Sequence, residues 1–176
     1  MGSGEYYSRA TGTLAVSSGK WYWELKMVSG INVNGAPSVG IIGTDGNQNN
    51  YTGTTGNSSM LYEHDGQKGY NSIPGTSYGD TYTDDDIIGV ALDLDNNAIY
   101  FSKNGTFQAS GDPTSGASVT NAAFSGVGTS DGFDPATAHW TPFAIGGGSE
   151  APVIHANFGN PPYANSSDAA DGNGYG

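Results

Sequence analysis

Apolar residues recur at every second position between residues 20 and 27. They are Trp21, Trp23, Leu25 and Met27. Side chains of a β-strand point alternately to the two faces of its sheet, so this spacing predicts a strand with one buried face. We expect all four side chains to belong to the hydrophobic core rather than to a platform that stacks on sugar rings.

Turn residues divide the later apolar runs into short strands. Residues 87–94 and 98–103 are two such runs, joined by Asp95-Asn96-Asn97, and Asn104-Gly105 follows the second. Asn and Asp tolerate positive φ, and Asn-Gly is the favoured two-residue hairpin turn, so two consecutive hairpins are predicted. Further strands are predicted at residues 38–43, 140–145 and 153–158.

Two long polar segments separate these strands. Residues 44–59 are almost wholly Gly, Asn, Thr and Ser around one aromatic residue, Tyr51, and residues 108–141 are similarly rich in Ser, Gly, Asp and Pro. We interpret both as surface loops.

The overall composition agrees with an all-β fold. Leu, Glu, Lys, Arg, Gln and Met, the residues that favour helices, make up only 20 of the 176 residues. Aromatic residues reach 11%, which is more than disordered chains contain. The sequence therefore predicts one folded all-β domain with an aromatic core and long polar loops.

The balance of charge narrows the possible partners. Five Lys and Arg residues against 17 Asp and Glu residues give a net charge of −12. Such a surface repels phosphate backbones and anionic lipids, so neither nucleic-acid binding nor membrane insertion is expected. No apolar run approaches the roughly 20 residues of a membrane-spanning helix. The chain also has no Cys, which excludes disulfides and thiolate metal ligands.

Five sequence blocks resemble, in order, the successive blocks of a SPRY domain. They are residues 19–24, 39–41, 86–93, 99–105 and 157–159. The resemblance covers about residues 9–163, which leaves residues 1–8 as an expression scar and leader, and 164–176 as a polar tail or the start of a missing segment. It implies a bent antiparallel β-sandwich, related to jelly rolls, that acts as a non-catalytic recognition module through loops at one end.

The resemblance also implies ligand-binding residues. In family members that bind short peptides, an aromatic residue after the Val-Gly-Ile strand and a late Trp-Gly pair line the pocket. Tyr51 corresponds to the first, and Ile145-Gly146 correspond to the pair, so the tryptophan is missing. Tyr62 follows in the next hairpin, and the family topology predicts that both tyrosines are exposed at the same end of the sandwich. Tyrosines in polar loops are common binding anchors.

Residues 20–24 together with residues 158–163 and 171–176 are similar to SPRY-like segments of marine phage and environmental viral proteins. The hypothesis that follows is a module of a phage structural or receptor-binding protein, on the virion or outside the cell, that binds a protein or a glycan. The parent would be a longer chain or an oligomeric virion assembly. The alternatives are a cytoplasmic peptide-binding adaptor domain and a virion decoration domain without a ligand.

Carboxylates that could support catalysis are scattered along the chain. The four glutamates are isolated from one another, whereas a jelly-roll glycosidase needs two carboxylates on one strand face. Asp93, Asp95 and Asn97 have the spacing of a calcium loop, but the positions that require Gly and Glu hold Ala98 and Asn104. A hairpin turn is the favoured interpretation, and we expect no enzymatic activity.

Metal ligands are equally sparse. Residues 84–86 are three adjacent Asp, which we interpret as a solvated strand entrance, since neighbouring carboxylates cannot all face one ion. His64, His139 and His155 each stand alone in sequence, and His155 fits a strand. We therefore expect no metal site, no catalytic triad and no cofactor.

Overall fold

The computed structural model describes residues 6–32, 37–44, 59–70, 73–127, 139–148 and 150–159. In these ranges the chain forms twelve β-strands and two short 3-10 turns, at Gln108–Ser110 and Gly116–Ser118. The described part contains no α-helix. The all-β class predicted from the composition is confirmed.

The strands form two antiparallel sheets. The strands of the first sheet are β1 (Tyr6–Thr11), β3 (Ser38–Gly43), β4 (Ser59–Glu63), β5 (Gln67–Tyr70), β6 (Ile73–Ser77) and β11 (Trp140–Gly148). Those of the second are β2 (Lys20–Ser29), β7 (Ile87–Asp93), β8 (Ala98–Lys103), β9 (Thr106–Phe107), β10 (Phe124–Ser125) and β12 (Val153–Asn157). Their orders are β1-β11-β3-β4-β5-β6 and β10-β8-β7-β2-β12, with β9 beside β8.

The hairpins predicted from turn residues are present. β7 pairs with β8 from Ile88↔Lys103 to Asp93↔Ala98, and β8 continues through a second turn into β9. Asn97 and Asn104 have φ of 56° and 49°, the left-handed conformation that asparagine tolerates better than most residues. The pairing of β1 with β11 begins at Tyr6, so residues 6–8, predicted to belong to a leader, are part of the first sheet.

The main core lies between the sheets. From β2 it includes Trp23, Leu25 and Met27, whose side chains are at most 5% exposed. The expectation that Trp21 also belongs to this core is wrong, because its side chain is 41% exposed. Trp21 lies at the start of β2, opposite Leu92 near the end of β7, where the space between the sheets opens to solvent.

A second apolar cluster covers the other face of the first sheet. It consists of Ile42, Phe143 and Ile145, with Leu61 packed against it. Along β3 the side chains of Val39 and Ile41 point into the main core, so Ile42 points to the opposite face by strand alternation. The first sheet is therefore apolar on both faces.

Candidate binding surface

Among the described residues, the structure does not bring Tyr62 together with the predicted Ile145-Gly146 pair. Tyr62 of β4 pairs with Val39 and belongs to the main core, with 0% of its side chain exposed. Ile145 pairs with Ser38 and lies in the second cluster, on the opposite face of the same sheet. Gly146 follows Ile145 and is also buried. The expectation that Tyr62 is exposed is wrong, because its ring fills the space between the sheets.

Contacts at one end of the sandwich explain why Tyr62 is buried. Its ring stacks on Phe101 at a centroid distance of 5.5 Å and meets Tyr78 edge-on at 5.7 Å. Its hydroxyl donates to the backbone oxygen of Asp80, and the hydroxyl of Tyr82 lies 3.0 Å from the backbone oxygens of Pro37 and Tyr62. The tyrosines tie the segment before β7 to the sheets, and we call this the tyrosine end.

Burial raises the pKa values of these tyrosines. Desolvation raises the pKa of Tyr78 to about 12, and it raises those of Tyr62 and Tyr82 further above the ordinary value of 10.0. A phenolate would lose its hydration in this cluster, so the neutral form is strongly favoured. This chemistry suits packing, not recognition of a ligand.

The loop that contains Tyr51 leaves the sandwich at the other end. β4 runs antiparallel to β3, with Ser59 opposite Ile42 and Glu63 opposite Ser38. The β3–β4 connection and the turn after Tyr62 therefore lie at opposite ends, which corrects the expectation that they share one end. Tyr51 itself lies outside the described residues, but Thr44, where this loop starts, donates its N–H to His139 O at 2.8 Å.

An apolar pocket of about 350 Å³ opens at the end of the sandwich where β2 and β11 begin. We call it the end pocket. Among the described residues it is lined by Gly12, Thr13, Leu14, Val16, Trp21, Tyr22, Trp23, Leu92, Trp140, Thr141, Pro142 and Phe158. Its volume falls in the range of small-ligand and side-chain pockets, roughly 300–1,000 Å³.

Hydrogen bonds fix the β1–β2 connection that forms one wall of the end pocket. Val16 exchanges two backbone hydrogen bonds with Trp140, at 2.9 and 2.8 Å. Gly12 N donates to Pro142 O at 2.8 Å, and Thr141 Oγ1 donates back to Gly12 O at 2.6 Å. The wall is therefore positioned by the first sheet before any ligand arrives, which lowers the entropy cost of binding.

Large apolar side chains remain exposed around this pocket. Of the five large hydrophobic residues that are exposed in the described ranges, four line it: Leu14, Trp21, Tyr22 and Phe158. Leu14 and Phe158 are 61% and 63% exposed. Single exposed apolar residues need no explanation, but a contiguous patch around a cavity is typical of an interaction site.

The described lining carries no Asp, Glu, Lys, Arg or His side chain. The indole N–H of Trp21 donates to Ser18 O at 2.8 Å, and the hydroxyl of Tyr22 donates to Glu24 Oε1 at 2.9 Å. The indole N–H of Trp23 is buried and has no acceptor in the described part of the chain. The pocket thus offers neutral, largely aromatic walls.

Two aspartates outside the end pocket, Asp93 and Asp86, accept hydrogen bonds from neighbouring residues of the sandwich. Burial alone would raise the pKa of Asp93, but hydrogen bonds from Lys20 and Asn96 outweigh it and lower that pKa. Asp86 behaves likewise: burial raises its pKa, and hydrogen bonds from Thr83, Asn104 and Lys103 lower it overall. The hydrogen bonds between Asp93 and Asn96 therefore close the β7–β8 turn.

Within the described ranges no group of three or more His, Cys, Asp or Glu is arranged to hold a metal ion.

Sequence reasoning missed the end pocket because it assigned Trp21 to the core and Phe158 to a strand. One signal was available. Trp21, Tyr22 and Trp23 are three consecutive aromatic residues, and a strand with one buried face cannot bury all three. Leu14 lies in the connection before β2, and no sequence pattern there predicts an exposed binding residue.

The fold is a two-sheet β-sandwich with an apolar pocket open at one end. The chain belongs to the SPRY domain family, since the SPRY family model matches residues 20–140, more than half of its length. The predicted family is confirmed. SPRY domains are in general non-catalytic interaction modules.

Three of the similar curated proteins come from animals. Ran-binding protein 9 of Danio rerio is 32% identical over 97 residues, which cover 55% of this chain and 16% of that protein. Human Ran-binding protein 9 is 33% identical over 97 residues, covering 55% of this chain and 13% of that protein. The Drosophila melanogaster homolog of Ran-binding proteins 9/10 is 30% identical over 89 residues, 51% of this chain and 9% of that protein. The chain thus spans less than a fifth of these relatives.

A solved structure supports the fold. The SPRY domain of human HERC1 matches with a TM-score of 0.63 and 20% identity, covering 93% of this chain and 87% of that domain. The β-sandwich predicted from the sequence is confirmed. No helix in the described ranges is long and apolar enough to span a membrane.

Proposed function

We propose that this chain is a protein-interaction domain that holds a short segment of a partner protein in the end pocket. The observation that carries this proposal is the exposed apolar rim around a pre-positioned cavity in a SPRY sandwich. Exposed aromatic anchors at the mouth of a pocket are the usual centre of a binding interface.

The proposal follows the adaptor alternative rather than the phage hypothesis. The Ran-binding proteins 9 of Danio rerio and human, which match over 97 residues, are animal proteins. What those relatives bind is not transferred, because the match covers so little of their length. The virion role, a glycan ligand and the location in the cell stay predictions from the sequence.

Tyr51 remains a predicted contact for the ligand of the end pocket. Its loop starts at Thr44, which is bonded to His139, the residue before the pocket residue Trp140. Ile145 and Gly146 are buried in the first sheet. A ligand could contact them only if the residues that cover them moved. We therefore place the binding surface at the end pocket.

Selection from a random peptide library displayed on phage tests this proposal. We expect a peptide consensus to emerge against the full chain. Binding of selected peptides should be lost with Phe158→Ser and kept with Val153→Ser, which replaces a 44% exposed side chain outside the pocket. A consensus that binds both variants equally, or no consensus at all, contradicts the proposal.

A further inference from the structure

One peptide group connects the aromatic rim of the end pocket to the β7–β8 turn. This group joins Ser18 to Gly19, in the connection between β1 and β2. Its N–H donates to Asp95 Oδ1 at 3.0 Å, and its carbonyl oxygen accepts from the indole N–H of Trp21 at 2.8 Å. Trp21 lines the pocket, whereas Asp95 lies in the turn and is not among the lining residues. The peptide group therefore links a carboxylate outside the pocket to a ring at its mouth.

The geometry of the peptide bond makes this link directional. A peptide group is planar and trans, so its N–H and its C=O point in opposite directions. An acceptor that fixes the N–H of Gly19 therefore also fixes the direction of the Ser18 carbonyl. Hydrogen bonds at the two ends of one peptide group also polarise each other, which strengthens both. The orientation of the Trp21 ring depends in this way on the side chain of Asp95.

The β7–β8 turn holds this stretch of chain at Gly19. Gly19 has a φ of 84°, in the left-handed region that glycine adopts readily. Its carbonyl oxygen accepts from Leu94 N at 3.0 Å, and the next residue, Lys20, forms an ion pair with Asp93. The bond to Leu94 is made by backbone atoms and survives substitution, whereas the bond to Asp95 is made by its side chain. The contribution of Asp95 can therefore be removed alone.

We propose, building on the function above, that Asp95 is a positioning residue of the end pocket and orients the Trp21 ring for an incoming partner segment. The Trp21 side chain is 41% exposed, so packing holds it less firmly than it holds a buried ring. An aromatic anchor that is already oriented loses less conformational entropy when a partner binds. The carboxylate that the sequence groups with Asp93 and Asn97 in a calcium-loop spacing thus has a hydrogen bond within the protein.

The test compares two substitutions that remove the same charge. Asp95→Ala removes the acceptor for Gly19 N, whereas Asp95→Asn keeps a side-chain oxygen that can accept. ¹H–¹⁵N NMR spectra of the full chain report the indole N–H of Trp21, and Trp21→Phe assigns this signal. In Asp95→Ala we expect the signal to move upfield as the hydrogen bond to Ser18 weakens. In Asp95→Asn we expect it to stay close to its position in the parent.

Affinity for a peptide selected from the displayed library gives the second readout. We expect Asp95→Ala to weaken peptide binding about threefold to tenfold, and Asp95→Asn to bind nearly as well as the parent. Asp112→Ala is the matched control, since Asp112 accepts from Thr114 N at 2.8 Å in a turn outside the described pocket lining. It should change neither the Trp21 signal nor the affinity.

Three results would overturn the positioning role. If Asp95→Ala lowers the melting temperature or affinity while the Trp21 signal does not move, Asp95 stabilises its turn and nothing more. Equal losses in Asp95→Ala and Asp95→Asn show an effect of charge. A moved Trp21 signal with unchanged affinity shows that the orientation of the ring does not matter for binding. If no peptide is selected, the proposed function fails, and the Trp21 signal still decides whether Asp95 orients the ring.

Discussion

At the scale of single residues, neighbouring positions of one strand have different roles. Trp21 and Trp23 share the inward face of β2, yet Trp23 is only 4% exposed and Trp21 is 41% exposed. The difference arises from position along the strand: Trp23 pairs with Val90 in the sheet interior, whereas Trp21 lies at the end. The alternating pattern predicts which face of the sheet a side chain lies on, but not how deeply that side chain is buried.

Trp23→Ala should lower the free energy of unfolding by about 3–5 kcal/mol, as expected for emptying a buried aromatic site. Trp21→Ala should cost clearly less, because its side chain is partly solvated in the folded state. Denaturant unfolding of both variants measures the difference. Equal losses would show that Trp21 is as buried as Trp23.

Tyr62→Ala should destabilise the fold by a similar amount, about 3–5 kcal/mol, because the ring packs on Phe101, Tyr78 and Tyr82. The matched control Tyr62→Phe keeps the ring and removes only the hydrogen bond to Asp80, so it should cost about 1 kcal/mol. A Tyr62→Ala variant with an unchanged thermal melt would restore the exposed anchor predicted from the sequence.

At the scale of elements, the β7–β8 hairpin is closed by a carboxylate. Asp93 accepts hydrogen bonds from Asn96 N at 3.0 Å and Asn96 Nδ2 at 2.8 Å, and it pairs with Lys20 of β2. These contacts join the β7–β8 turn to β2, the strand that pairs with β7 in the second sheet. Of the three turn residues that predicted the hairpin from the sequence, Asn96 donates both of these hydrogen bonds and Asn97 takes the left-handed φ of 56°.

The lowered pKa of Asp93 makes this contribution depend on pH. The unfolded chain binds a proton near the ordinary value of 3.8, above the pKa of the folded state. The stabilisation is therefore complete above 3.8 and is lost as the pH falls through the lowered pKa. We expect Asp93→Asn to melt at a lower temperature at neutral pH, and the gap from the parent to close in acid. A constant gap would contradict this assignment.

The tyrosine end should be visible in an alkaline titration. Tyr62, Tyr78 and Tyr82 have pKa values raised above 10.0 mainly by burial, so the neutral forms add stability that is lost as the pH rises through the folded-state values. Ultraviolet absorbance should show these three tyrosines ionising well above the ordinary value of 10.0, or only on unfolding. Removal of these three by Tyr→Phe substitution that leaves the high-pH part of the titration unchanged would mean that the cluster is open.

At the scale of the whole molecule, the sequence predicted the sandwich better than it predicted the binding surface. Strands with strong alternation or turn chemistry, such as β2, β3, β7 and β8, were found with nearly the observed bounds. The end pocket was not predicted, because it depends on which strand ends lie next to one another in the folded sandwich. Trp21, Trp140 and Phe158 are far apart in sequence and line one cavity only after β2, β11 and β12 are placed.

The central claim is that the sandwich is open at the end pocket and closed at the tyrosine end. Hydroxyl-radical footprinting of the full chain, alone and with a library-selected peptide, tests it at residue level by mass spectrometry. We predict that Trp21 and Phe158 are labelled in the free chain and protected by the peptide, while Trp23 and Tyr62 stay unlabelled in both. Labelling of Tyr62 that the peptide suppresses, with Trp21 and Phe158 unaffected, would contradict the account and move recognition to the tyrosine end.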